Sequence, residues 1–74
     1  MATSDQTKMQ FATTLKDLMH HKPLDRITIA ELSAATHVNR NTFYYHFEDI
    51  YGLLKWTLEA DIGRKVMQLS LIHI

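Results

Sequence analysis

The 74-residue sequence predicts an all-α domain, and three observations carry that expectation. Hydrophobic residues make up 46% of the chain while only two glycines and one proline interrupt it, a composition that suits helices rather than sheet or disorder. The apolar residues recur at helical spacing, three or four apart. Side chains able to cap a helix start (Ser4 or Asp5, Thr28, Asn39, Asp49) stand just ahead of those apolar runs.

The first helix is expected over residues 5–21. Ser4 or Asp5 caps it, Phe11, Leu15, Leu18 and Met19 form its apolar stripe with Ala12 beside them, and Lys8, Gln10, Lys16 and Asp17 fall largely elsewhere on the wheel. It stops before Pro23, which disfavours helical backbone at Lys22. Residues 24–27 make a short connection. Thr28 then precedes Glu31 by three, the spacing of a capping box in which the hydroxyl accepts from one backbone N–H and the carboxylate from another. A second helix is expected over 29–35, with Ile29, Leu32 and Ala35 as its inner face. Two roles compete for Thr28: a cap alone, or a cap that also holds a phosphate oxygen at a helix end rich in N–H donors.

Thr36, His37 and Val38 form a turn. Tight turns between helices commonly need one residue at positive φ, usually glycine, and His37 stands in that place as one of the residue types that tolerate it. Val38 is expected to plug the angle between the helices. Asn39 caps a third helix over 40–47, and Asp49 caps a fourth that runs to about residue 67. Ile50, Leu53, Leu54, Trp56, Thr57 and Leu58 come next at mixed helical spacing, while Glu59, Asp61, Arg64 and Lys65 mark a solvent side. Gly52 in the first turn costs about 1 kcal/mol against alanine, and Trp56 is expected to pack rather than to hold a ligand.

The third helix is the most informative stretch. Phe43 and Phe47, four apart, share one side. Arg40, Asn41, Thr42, Tyr44, Tyr45 and His46 occupy the rest. So short a helix does not hold together alone in water, because nucleation is costly and few hydrogen bonds repay it. Its phenylalanine side must be clamped. The opposite side then presents guanidinium, amide, hydroxyl and phenol groups, the inventory that meets base edges and phosphate oxygens, and the segment reads as a recognition helix.

Composition excludes several classes of function. Without cysteine there is no disulfide frame and no thiolate chemistry, in keeping with a cytoplasmic location. No run approaches the roughly 18 consecutive apolar residues of a membrane span, and residues 1–8 lack the apolar core of a signal peptide. Adjacent His20 and His21 leave a helix about 100° apart, and no histidine pair has ligand spacing, so no metal or other cofactor is expected. No nucleophile has a base at plausible spacing and there is no phosphate-cradling glycine loop, so no catalytic residue is assigned and the chain is not read as an enzyme. Eight basic residues balance eight acidic ones, which counts against nucleic-acid binding; from Lys8 to His46 the balance is five basic to three acidic.

Residues 27–32 (Ile-Thr-Ile-Ala-Glu-Leu), the turn through Val38, residues 39–47 (Asn-Arg-Asn-Thr-Phe-Tyr-Tyr-His-Phe) and Leu53-Leu54 together resemble the N-terminal DNA-binding domain of the TetR family of bacterial transcriptional regulators. The likeness covers roughly residues 8–60, and through Glu48-Asp49-Ile50-Tyr51 it is greatest to the branch that includes regulators of dihydroxyacetone kinase. It implies a three-helix, homeodomain-like helix-turn-helix bundle with the start of a long fourth helix. Residues 1–47 would be the DNA-binding domain and 48–68 the beginning of the connecting helix. By resemblance, Arg40, Asn41 and Thr42 face bases, Thr28, Tyr44 and His46 hold phosphates, and Tyr45 lies near the groove wall as a further backbone contact. The implied partner is double-stranded DNA carrying a palindromic operator. The full-length parent would be a homodimer whose small-molecule effector binds a C-terminal helical domain that this chain lacks.

Three departures accompany the resemblance. His37 replaces the usual turn glycine, Ile50 replaces a lysine often found at the start of helix four, and the C-terminal domain is missing. Residues 69–74 (Leu-Ser-Leu-Ile-His-Ile) break the amphipathic pattern and are similar to what one reading frame of a transposon-end sequencing adapter encodes, so a non-native tail is expected there. The alternative function is a small helical protein-interaction module using Tyr44 and Tyr45, which the neutral charge favours slightly and the base-compatible surface of helix three disfavours.

Overall fold

The computed structural model describes the backbone of residues 2–73 and the side chains of residues 5–63. It holds α1 (Ala2–Met19), a 3-10 turn (Leu24–Arg26), α2 (Ile29–Thr36), α3 (Arg40–His46) and α4 (Ile50–His73), with no strand among the described residues. The architecture is the all-α helix-turn-helix bundle expected, three helices and then a long fourth.

Local chemistry sets most of the helix boundaries. Thr28 Oγ1 accepts from the Glu31 N–H at 3.1 Å and Glu31 Oε1 accepts from the Thr28 N–H at 3.1 Å, so the capping box is complete and α2 starts at Ile29. His37 ends α2 at φ 60°, ψ 28°, the left-handed position expected of it. Asn39 Oδ1 accepts from the Asn41 N–H at 2.7 Å and starts α3. Asp49 Oδ1 accepts from the Gly52 N–H at 2.9 Å and starts α4. Phe47 terminates α3 in extended backbone rather than as its last helical residue.

Other boundaries differ from expectation. Ser4 and Asp5 do not cap α1, which begins at Ala2 and carries Asp5 within its first turn, near the partial positive charge of the helix end. At the other end α1 stops at Met19, two residues early, because the Lys22 and His21 N–H groups both turn back to the Leu18 carbonyl, at 3.0 and 2.9 Å. Met19 is accordingly exposed, while Leu18 packs against the core. The helical backbone of α4 continues past residue 67. The non-native tail expected at 69–74 concerns residues whose side chains lie outside the described ones.

Each element contributes to one core. Phe11 and Leu15 of α1, Leu32 of α2, Phe43 of α3 and Leu53 of α4 are fully buried, with Ala12, Ile27 and Phe47 nearly so. Phe43 meets Phe11 edge-on at 5.2 Å and 87°, a favoured aromatic geometry. Val38 packs into the angle between α2 and α3 and Trp56 lies against Phe47 at 6.3 Å, both as expected. Ala35 does not join the inner face of α2: it is exposed. It sits about 120° round the helix from Ile29, with Leu32 between them. The long Ile29 side chain still reaches the core from that margin, and a methyl group cannot. Asp61 also departs from the solvent side assigned to it, because it meets Lys16 of α1 at 3.2 Å. A second ion pair, Lys22 with Glu31, ties the end of α1 to the start of α2.

Candidate nucleic-acid interface

The surface built by α3 results from how that helix is held. At seven residues it is about 10 Å long. One end is closed by the Asn39 cap and the other by the Phe47 N–H, which donates to the Phe43 carbonyl at 2.9 Å. Between those ends the rings of Phe43 and Phe47, 5.5 Å apart, face the core, one fully buried and one 8% exposed. Spacing of four puts them on one side, so the remaining side chains must point away.

They do. Arg40 and Asn41 are exposed, Thr42 and His46 are half-buried, Tyr44 is 56% exposed and Tyr45 83%. Among the described residues, no hydrogen bond or ion pair engages the Arg40 guanidinium, the Asn41 amide, or the Tyr44 and Tyr45 phenols. Tyr44 stands edge-on to Phe43 at 5.6 Å and Tyr45 edge-on to His46 at 5.2 Å, contacts that orient the rings while leaving their hydroxyls outward. Six of the seven residues singled out from the sequence therefore share one short helix. A guanidinium and a carboxamide stand at its start and aromatic hydroxyl and imidazole groups toward its end.

Thr28, the seventh, lies at the far end of α2, about 12 Å of helix away from the turn. Its hydroxyl oxygen accepts the Glu31 N–H. Its own N–H is not free, since the Glu31 carboxylate takes it. That carboxylate places negative charge beside any anion at this end, and Lys22, which the sequence pattern does not single out, offsets it through the ion pair. The Lys22 hydrogen bond first, and the Thr28 backbone N–H second, hold the Glu31 carboxyl below its ordinary 4.5. No local pattern pairs Lys22 with Glu31; nine residues and the 3-10 turn separate them.

The electrostatic footprint is thin. Of the five basic residues between Lys8 and His46, Lys16 and Lys22 are engaged by carboxylates, leaving Lys8, Arg26 and Arg40 without an ion pair among the described residues. An open groove of about 750 Å³ runs between α1 and the turn, lined by Met9, Gln10, Thr13, Thr14, Thr36 and His37 among others. Among the described residues no cluster of acidic and histidine side chains could hold a metal ion, and no helix is long and apolar enough to cross a membrane.

Comparison with known proteins agrees with this geometry. The HTH-type dhaKLM operon transcriptional activator DhaS of Lactococcus lactis subsp. lactis (strain IL1403) is 29% identical over 66 residues, which cover 89% of this chain and 35% of that protein. The chain thus spans about a third of the length of this relative. No solved structure matches. The family model for bacterial regulatory proteins of the tetR family matches residues 13–55, from the middle of α1 through the turn and α3 into α4, and the chain belongs to that family.

Proposed function

We propose that this chain is the sequence-reading part of a TetR-type transcriptional regulator, with α3 entering the major groove of a palindromic operator. The observation that carries the proposal is the division of α3 into a buried phenylalanine back and an outward, unengaged polar front. In that pose the Arg40 guanidinium forks onto guanine O6 and N7 and the Asn41 amide pairs with adenine, each contact worth about 1–3 kcal/mol of discrimination. Thr42 adds a hydroxyl at the same face. Tyr44, Tyr45, His46 and Thr28 contact the phosphate backbone and set register without reading sequence. The complete regulator would carry a further helical domain that dimerises and takes a small-molecule effector, a reading supported by the short share of the relative that this chain covers. The name of that relative, a dhaKLM operon transcriptional activator, supports the branch that includes regulators of dihydroxyacetone kinase.

A single helix-turn-helix engages one half-site where a dimer engages two about 34 Å apart, so its affinity as a monomer is expected to be modest. If Lys8, Arg26 and Arg40 are the contacting cations, the slope of log affinity on log salt is roughly −2.7, or about a 40-fold loss between 50 and 200 mM salt. Titrating duplex DNA over that range tests the reading. A decline of that order supports it. Salt-independent association, or none, speaks instead for a protein partner on the exposed Tyr44 and Tyr45 surface.

A further inference from the structure

We propose that the Ser33 and Thr36 hydroxyls form a latch that aims α3, and so decide which bases Arg40 and Asn41 reach; this rests on the DNA-reading role above. The turn has no glycine, and His37 occupies the left-handed region at φ 60°. Its N–H donates to the Ser33 carbonyl, which fixes the end of α2 but leaves the heading of α3 open. At the next residue, Val38, the peptide groups on either side are both held. The Val38 N–H donates to the Ser33 carbonyl and to Thr36 Oγ1, each at 3.3 Å, and the Val38 carbonyl accepts from Ser33 Oγ. Thr36 Oγ1 itself donates to the Leu32 carbonyl at 2.7 Å, which leaves a lone pair turned to Val38.

That grip falls one residue before the Asn39 cap, at the pivot of α3. Rotation about the Val38 Cα–C bond would swing the whole helix as a rigid rod. A swing of about 10° carries its far end about 2 Å and the tip of a long side chain near the pivot by about 1 Å. Base hydrogen bonds tolerate a spread of only about 0.5 Å. Phe43 and Phe47 hold the back of the rod to the core, and the Ser33 hydroxyl stops it rocking about that seat. Ser33 and Thr36 are thus positioning residues: neither meets DNA, and both act through Arg40 and Asn41.

The test uses a labelled duplex selected by the chain from a randomised pool, and the ratio of its affinity to that of a shuffled duplex. Ser33→Ala and Thr36→Val are expected to lower that ratio on the order of 10-fold, a fraction of the range one bidentate base contact spans. The salt slope should stay unchanged, and Ser33→Thr, which keeps the hydroxyl, should keep the ratio. Because Ser33→Ala also weakens the fold, it is paired with His37→Gly, which relieves the left-handed residue. Recovery of the melting temperature without recovery of the ratio supports the latch; recovery of both together reduces Ser33 to a stabilising residue and overturns it. If Arg40→Ala collapses the ratio and Ser33→Ala does not, the latch alone falls. If the chain shows no sequence preference at all, the DNA-reading role falls and the latch with it.

Discussion

Replacing Phe43 by alanine removes the side chain that joins the reading helix to the rest of the molecule. The ring is fully buried, meets Phe11 edge-on at 5.2 Å and lies 5.5 Å from Phe47. Truncating a buried phenylalanine to alanine costs about 3–5 kcal/mol, and the loss of an edge-on partner places this site toward the upper end. A domain of this size has a total stability of about 4–11 kcal/mol. The substitution therefore consumes much or all of it. The damage should also be uneven, since α3 is too short to persist without its clamp. Urea denaturation monitored by circular dichroism gives the overall loss, and hydrogen exchange at the amides of residues 40–47 shows whether α3 opens first. Tyr45→Ala is the control: its ring is 83% exposed, and surface changes of that kind stay within about 0.5 kcal/mol. A Phe43→Ala protein with an unchanged urea midpoint, or one in which Tyr45→Ala does equal harm, would refute the assignment of back and front.

Gly52 sits in the first turn of α4, where an added Cβ would meet Asp49 Oδ1 at 3.7 Å and Phe47 Cβ at 3.8 Å, ordinary contacts. Gly52→Ala should therefore raise stability by about 0.5–1 kcal/mol, visible as a higher melting temperature; a lower one would show that the Asp49 cap had been disturbed. Glu31, held below its ordinary 4.5 chiefly by Lys22, contributes stability that is complete above that value and is lost as pH falls through the lower folded one. Glu31→Gln should flatten the urea midpoint against pH in that acid range, and an equal slope in both proteins would contradict the pairing. Arg40→Ala should relax base preference, whereas Tyr44→Phe should weaken binding to all duplexes alike; the opposite pattern would reverse the roles given to them.

The features legible in the sequence are those that short-range physics decides. The Thr28 and Glu31 capping box, the Asn39 and Asp49 caps and the left-handed residue at His37 each depend on side chains within three positions of the backbone they serve. The inward pair Phe43 and Phe47 is equally legible, because spacing of four leaves little choice of side. The features that are not legible depend on distant partners. Lys16 and Asp61 are 45 residues apart, and nothing local announces that Asp61 turns inward to α1. Ala35 escapes a reading by periodicity because helical spacing gives direction and not reach. The grip of Ser33 and Thr36 on Val38 is close in sequence, yet it exists only once His37 has bent the chain back on itself.

Backbone amide shifts recorded while duplex DNA is added to the labelled chain address the central claim most directly. Changes centred on Thr28 and residues 39–46, with the amides of Leu58 and Ile62 in α4 unaffected, are what an outward-facing α3 seated in the groove predicts. Changes centred on α4 or on the groove beside α1, with Arg40 and Asn41 silent, would contradict it.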